Sequence, residues 1–421
     1  MLDQILYYVR KLIPTAVFNF LQPFYHRAFS FVAASFYGFP ARHIRVVAVT
    51  GTKGKTSVTE IVNAILEEAA YKTALSNTIR FKIGDDSRDN LYKMSMPGRF
   101  FIQKFLADAV KAGCRYAVVE VTSQGALLNR HKHIDFDALI FTNIAPEHIE
   151  AHGSFENYIA AKLDIAEAVA GSRKERRILV TNKDDERSKL FAAKKFTETH
   201  TYSLEDAKPY DIFREGFDMT VGGVTIHSNL SGEFNIYNEL AAIAYAKTQD
   251  IGIETSRRAI EKFTGIRGRV ERIDEGQDFD VIVDYAHTPD SLQKLYDVFQ
   301  KSRRICVLGN TGGGRDVWKR DEMAKIAARE CDEIILTNED PYDDDPRKIV
   351  EDMAKAIPHA KPELVMDRRK AIAIALSKAK RGDAVLITGK GTDPYIMGAK
   401  NTKIPWSDSA VAREELRKIL T

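Results

Sequence analysis

Cysteine is nearly absent from this chain of 421 residues: Cys114, Cys306 and Cys331 are scattered and have no metal-ligand spacing. This excludes a disulfide-built secreted scaffold and a zinc module, so three reduced thiols are the expected state. An excess of one charge is lacking too. Lys and Arg number 62 against 59 Asp and Glu, a net charge of +3, too balanced to argue for nucleic acid as a partner. No apolar run reaches the ~20 residues that a membrane-spanning helix needs. Nor does a compact apolar core follow the basic pair Arg10–Lys11, as it would in a signal peptide. Internal repeats and low-complexity stretches are also missing. With 44% hydrophobic and 29% charged residues, the composition is that of a globular, cytoplasmic protein of two or three domains.

The N-terminus is rich in aromatics. Leu2, Ile5, Leu6 and Val9 fall at helical spacing, and Leu12 and Ile13 extend the stripe. The stretch "FNFLQPFYHRAFSFVAASFYGF" follows, broken by Asn19, Gln22, Pro23, His26 and Arg27. It reads as a short helical extension (residues 1–44) packed on the body. The alternative is a docking surface for a membrane or a partner through residues 1–40, which would make the protein peripheral at the inner membrane face. From Arg45 the pattern is strand, turn, helix, repeated. "RVVAVT", "RYAVVEV", "FDALIFTNI" and "RILVTN" have the length and β-branching of buried parallel strands. After a more β-like interlude, a second series contains "FDVIVDYA", "RRICVLGN", "DEIILTNED" and "DAVLITGKG". The expected class is α/β, with a mostly parallel central domain of the P-loop ATPase type over 45–265 and a Rossmann-like C-terminal domain over 266–421.

"TGTKGKTS", at 50–57, lies between the first strand and a helical pattern. Gly51 and Gly54 allow a tight turn that aims N–H groups inward, and the following helix points its N-terminus at the same place. Lys55 adds a cation and Thr56 a hydroxyl suited to Mg²⁺, which together make a triphosphate cradle. The usual spacing would require Gly at position 49, where this chain has Val49.

The variant loop resembles that of the Mur ligases and of their folylpolyglutamate and cyanophycin synthetase relatives. "EVTSQG", "TNIAPEHIEAHGSFENYIAAK", "GRVERID", "VDYAHTPDSL", "GGGRDVWKR" and "GKGTDPY" resemble motifs of that family's tripeptide synthetases, in the same order. The resemblance runs from about Arg45 to the C-terminus. It implies an ATP-dependent, ADP-forming ligase of peptidoglycan biosynthesis that activates a carboxylate as an acyl phosphate for attack by an amine. It also implies roles for individual residues. Thr50, Gly51, Thr52, Lys53, Gly54, Lys55, Thr56 and Ser57 would hold the phosphates of ATP, and Asn235, Asn238, Arg269, Asp284 and His287 the rest of the nucleotide, between the domains. Lys55, Glu120, His148 and Lys162 would be catalytic. Thr56, Glu120, His148 and a carbamoylated Lys162 would hold two Mg²⁺ ions.

Ser95, Met96, Thr122 and Arg130 match positions that hold the acceptor peptide, although one of the family's paired threonines is absent and Leu128 replaces its Gln. Arg315 is expected on the α-carboxylate of the incoming amino acid, with Asp340, Tyr342, Gly389 and Asp393 around its side chain. Diaminopimelate-specific members carry D-N-P-R where this chain has Asp340-Pro341-Tyr342 after Glu339. Loss of that Arg beside acidic groups implies a basic diamino acid such as lysine. Members begin with a domain of roughly 100 residues that grips the UDP end of the acceptor. Only 44 residues precede Arg45, so the acceptor is expected to be held differently. A monomer is expected. The competing readings are a ligase for a non-UDP acceptor or an amino-acid polymer, and a nucleotide-binding subunit of a larger complex.

Overall fold

A computed structural model describes residues 15–147, 149–314, 317–357 and 361–420, with side chains from Tyr25 onward. The stripe from Leu2 to Ile13, His148 and Arg315 lie outside the described residues. The chain forms two compact units, interleaved in sequence. The first comprises Met1–Ala145, Glu156–Ser203 and Ala241–Ile251; the second comprises Pro146–Phe155, Leu204–Leu240 and Gly252–Thr421.

The first unit is built on β1 (Arg45–Thr50), β2 (Thr73–Ser76), β3 (Arg80–Ile83), β4 (Asp86–Asp89), β5 (Tyr116–Glu120), β6 (Ala138–Phe141), β7 (Ile178–Asn182) and β8 (Glu198–Tyr202). They form one sheet in the order β4-β3-β2-β5-β1-β6-β7-β8. From β2 to β8 every pairing is parallel, and β3 and β4 add an antiparallel edge. Val46, Val47, Ala48 and Val49 of β1 are fully buried, as expected for a central strand covered on both faces. β1 lies between β5 and β6, so the strand order reverses there. In open α/β sheets, that point at the strand C-termini is where ligands bind.

The helix Thr15–Phe36 packs on the helix Arg99–Lys111. Ser30, Ala33 and Ala34 face inward, whereas Tyr25, Phe29, Val32 and Phe36 form an exposed stripe. Among the described residues no helix is long and apolar enough to cross a membrane.

The second unit opens with a small antiparallel sheet, β9 (Tyr210–Ile212), β10 (Phe217–Val221) and β11 (Val224–Ser228). Its main sheet has the order β12-β13-β17-β14-β15-β16. These strands are β12 (Glu271–Arg272), β13 (Asp280–Asp284), β14 (Arg304–Leu308), β15 (Glu333–Leu336), β16 (Glu363–Leu364) and β17 (Ala384–Thr388). Only β12 runs antiparallel. Alternate residues feed two cores. Ile282, Cys306, Leu308 and Leu386 belong to one, and Val281, Val283, Val307 and Ile387 to the other, as the two-residue period of a strand requires. A hairpin of β18 (Tyr395–Gly398) and β19 (Thr402–Pro405) follows. The expectation of three reduced thiols holds for buried Cys114 alone; Cys306 and Cys331 are disulfide-bonded. The helix Lys319–Glu330 returns the chain from the end of β14 to its start, a closeness that a separation of 25 residues does not reveal.

Candidate functional site

In the first unit the loop after β1 is clamped by residues that follow β6. Thr52 N donates to Asn143 O (2.8 Å), Lys53 N to Asn143 Oδ1 (3.0 Å) and Thr142 Oγ1 to Lys53 O (2.6 Å). Gly51 passes so close that an added Cβ would lie 1.9 Å from Thr142 Oγ1, so a larger residue would displace the loop. Gly54, with φ +81°, caps the helix Lys55–Glu68 without a side-chain hydrogen bond. Lys55 Nζ donates to Gly51 O (3.0 Å) and Thr52 O (2.8 Å). A tight loop, a helix N-terminus and a lysine curled over the loop suit a chain of phosphates.

Glu120 closes β5 and is 2% exposed. Its Oε2 accepts from Thr56 Oγ1 (2.8 Å) and Thr78 N (3.1 Å), and its Oε1 from Thr78 Oγ1 (3.0 Å). All three donors are neutral, and among the described residues no cation meets this buried carboxylate. Burying a carboxylate without a cation is costly. The hard oxygen set of Glu120 and Thr56 fits Mg²⁺, which takes few protein ligands and completes its shell with phosphate and water. No group of three His, Cys, Asp or Glu poised for a metal exists among the described residues. Lys162, on the helix Phe155–Ala170, is 1% exposed. Its Nζ donates to Gly51 O (2.6 Å) and lies over the Tyr158 ring, whose hydroxyl meets Thr52 Oγ1 at 2.9 Å. Lys55, Thr56, Glu120 and Lys162 are therefore brought together.

The acceptor candidates join the same network. Ser95 Oγ meets Thr78 Oγ1 at 2.9 Å, one residue from Glu120. Thr122 caps the helix Ser123–Leu127 by accepting from Gly125 N, and Arg130 donates to Met96 O. Sequence reasoning missed Thr78, Thr142 and Asn143. The last two stand in a quoted motif, but Thr78 has no local signal, because its role depends on a partner 42 positions away.

The remaining nucleotide candidates belong to the second unit. Asn235 Nδ2 donates to Ser231 O (2.9 Å) and Asn238 Nδ2 to Asn235 Oδ1 (2.8 Å). Asp284 ends β13 and accepts from Val270 N and Ala286 N, both at 2.6 Å. Arg269 lies over the Tyr285 ring, and His287 Nδ1 meets Tyr285 O at 2.7 Å. At the ends of β15 and β17, Asp340 Oδ1 accepts from Lys390 Nζ (2.7 Å) and Met397 N (2.8 Å), and Asp393 Oδ2 lies 3.4 Å from Lys390 Nζ. The two acids expected to receive an incoming cation thus share a built-in one. Beside them Glu339 is fully enclosed, and burial raises its pKa. A Cβ on Gly389 (φ +103°) would lie 2.3 Å from Glu339 Oε2. Tyr342 N donates to Met397 O (3.1 Å).

Comparison with known proteins matches the Mur ligase middle domain over residues 49–246 and the Mur ligase, glutamate ligase domain over 268–391. The chain is 36% identical over 416 residues to the UDP-N-acetylmuramyl-tripeptide synthetase of Roseiflexus sp. (strain RS-1), covering 92% of this chain and 81% of that protein. It is 35% identical over 405 residues to the UDP-N-acetylmuramoyl-L-alanyl-D-glutamate–2,6-diaminopimelate ligase of Syntrophomonas wolfei subsp. wolfei, covering 93% and 82%. A solved structure of a ligase of that name superposes with a TM-score of 0.61 at 26% identity, covering 90% of this chain and 79% of that one. Mycobacterium tuberculosis folylpolyglutamate synthase shares the fold, with a TM-score of 0.68 at 17% identity, covering 86% and 92%. With both domain models matched in order and the phosphate loop in place, the chain belongs to the Mur ligase family of ATP-dependent, ADP-forming amide ligases.

Proposed function

We propose that this ligase adds a basic diamino acid, such as lysine, to a peptidoglycan-precursor peptide through an acyl phosphate. The observation that carries the reading is the continuous path from phosphate loop to acceptor segment: Thr56 to Glu120, Glu120 to Thr78, Thr78 to Ser95. One carboxylate thereby orients both the phosphate end and the acceptor end, and phosphoryl transfer depends mainly on such positioning. Residues 45–265 carry ATP activation, residues 266–421 carry amino-acid selection, and adenine contacts Asn235, Asn238, Arg269, Asp284 and His287. Two Mg²⁺ ions, held by Thr56, Glu120, His148 and a carbamoylated Lys162, would neutralise phosphate charge when bound.

The basic amino acid is supported by Asp340 and Asp393. Both acids stand beside Lys390, and Tyr342 is an uncharged side chain at the position where the diaminopimelate-specific motif carries Arg. The enzyme works as a cytoplasmic monomer. The exposed stripe Tyr25, Phe29, Val32 and Phe36, on a helix with no acidic residue, supports contact with the inner membrane face. The test is ADP release by the full chain with lysine, ornithine or diaminopimelate at equal concentration, with and without UDP-linked dipeptide acceptor. Release that needs both lysine or ornithine and the acceptor upholds the reading. Preference for diaminopimelate, or release independent of acceptor, refutes it.

A further inference from the structure

His26, Arg99 and Arg130 come from three separate parts of the first unit and meet in one place. Arg99 opens the helix Arg99–Lys111, whose N-cap, Gly98, has no side-chain cap. Its Nη2 contacts His26 Nδ1 on the N-terminal helix and donates to Leu128 O at 2.8 Å. Arg130 donates to Met96 O and lies 3.6 Å from Met94 Sδ. Ser30 Oγ, one turn beyond His26, fastens the N-terminal helix to the same loop by donating to Asn129 O at 2.6 Å.

No carboxylate among the described residues pairs with any of the three. Among the described residues the two guanidiniums reach only carbonyl oxygens, a sulfur and the His26 ring nitrogen, none of them an anion, and Arg130 Nε and His26 Nε2 are buried without a partner. Guanidinium groups stay charged under all ordinary conditions. Burial, with the repulsion of Arg99 on Arg130, disfavours even these charges. Burial, then Arg99 and Arg130, hold His26 at about 4. Concentrated positive charge without a counter-ion is unfavourable unless an anion joins it, and forked guanidiniums at a helix N-terminus match phosphate oxygens.

We propose that His26, Arg99 and Arg130 form a phosphate-binding site for a phosphate or diphosphate group of the acceptor. The N-terminal helix thus supplies part of the acceptor grip. The proposal rests on the ligase reading for the word acceptor. The site's existence does not, because Met96 and Arg130 reach it directly and binding can be measured without turnover.

The test is calorimetric titration of the full chain, its nucleotide site filled with Mg-ADP, with inorganic pyrophosphate. Binding tighter than about 1 mM is expected, weakened at least about tenfold by Arg99→Gln or Arg130→Gln and less by His26→Gln. On binding, the NMR titration of the His26 ring should move up from about 4 as the dianion favours its proton. Phosphatidylcholine vesicles with roughly 20% phosphatidic acid separate the sources. Binding that pyrophosphate competes away assigns a lipid-borne phosphate, and pyrophosphate binding without vesicle binding assigns a soluble one; both uphold the site. No pyrophosphate binding by the folded chain, affinity unchanged in all three variants, or tighter binding of glutarate than of pyrophosphate overturns it. If the arginine variants fail to fold, His26→Gln and the His26 titration decide.

Discussion

Replacing Glu239 by Gln should stabilise the second unit at neutral pH and leave it nearly unchanged in mild acid. Glu239 lies on the helix Glu233–Thr248, next to Asn238, and is 1% exposed. Its Oε1 accepts from Ser228 Oγ at 2.5 Å, and its Oε2 has no partner. Burial raises its pKa from 4.5 to about 8, against a smaller lowering by Ser228. Between those values the folded chain holds a proton that the unfolded chain has released. Stability from this group is therefore present below the unfolded value and lost as pH rises toward the folded one. At pH 7 the gap is about 2.5 pH units, or about 3 kcal/mol at 1.4 kcal/mol per unit. An amide cannot ionise, so Gln removes that cost, while its unmatched N–H returns about 1 kcal/mol. The expected net gain is about 2 kcal/mol at pH 7, a Tm rise of about 4–8 °C. Thermal and urea unfolding of both proteins near pH 5 and pH 7.5 would measure it. If the difference between them is the same at both pH values, Glu239 is ionised in the folded chain and the reasoning fails.

Lys55→Ala should lower ADP formation at least about a hundredfold, because a cation on the phosphates is lost, while thermal unfolding stays close to wild type; near-normal turnover in a folded variant would contradict the phosphate role. Lys162→Ala should be inactive and partly restored by formate or acetate if a carbamate is needed there, and mass spectrometry of the intact protein at raised bicarbonate should reveal the added carboxyl group. Tyr342→Arg should raise the preference for diaminopimelate over lysine by about tenfold or more, through a new charge-assisted pair with the distal carboxylate; an unchanged ratio of products in a competition assay would place specificity elsewhere.

The parts of the fold legible in the sequence are those where burial on both faces leaves one solution. β1, β5, β6, β13, β14 and β17 are apolar runs of four to six residues, and each falls within a segment expected to be a strand. β4, with the sequence DSRD and every residue exposed, carries no apolar signal. It exists because the turn after Ile83 folds it back onto β3. The phosphate loop was readable because its chemistry is local: glycines, a lysine and a hydroxyl in one turn. Thr78 on Glu120 and Lys390 on Asp340 were not, since each contact joins chain segments that only the sheet topology brings together. The N-terminal aromatics suggested packing or docking, whereas the cationic cluster at His26 needed Arg99 and Arg130 to be seen beside it.

The position of β17 has a consequence for how the protein is made. It is the last strand of the second unit's main sheet to be synthesised, yet it lies inside that sheet, between β13 and β14. In the finished sheet β17 pairs with both, so a sheet built without it would leave their facing edges unpaired across a gap of about 10 Å, two strand spacings. Direct pairing of β13 with β14 would close the gap wrongly, and open edges of this kind recruit other chains. The same strand leads straight into Gly389, Lys390 and Asp393. A nascent chain therefore owns a phosphate loop long before it owns the proposed amino-acid pocket. Insertion of one strand completes the sheet and the pocket together, so a chain cut short before Ala384 lacks both and presents the open edges that quality-control machinery recognises.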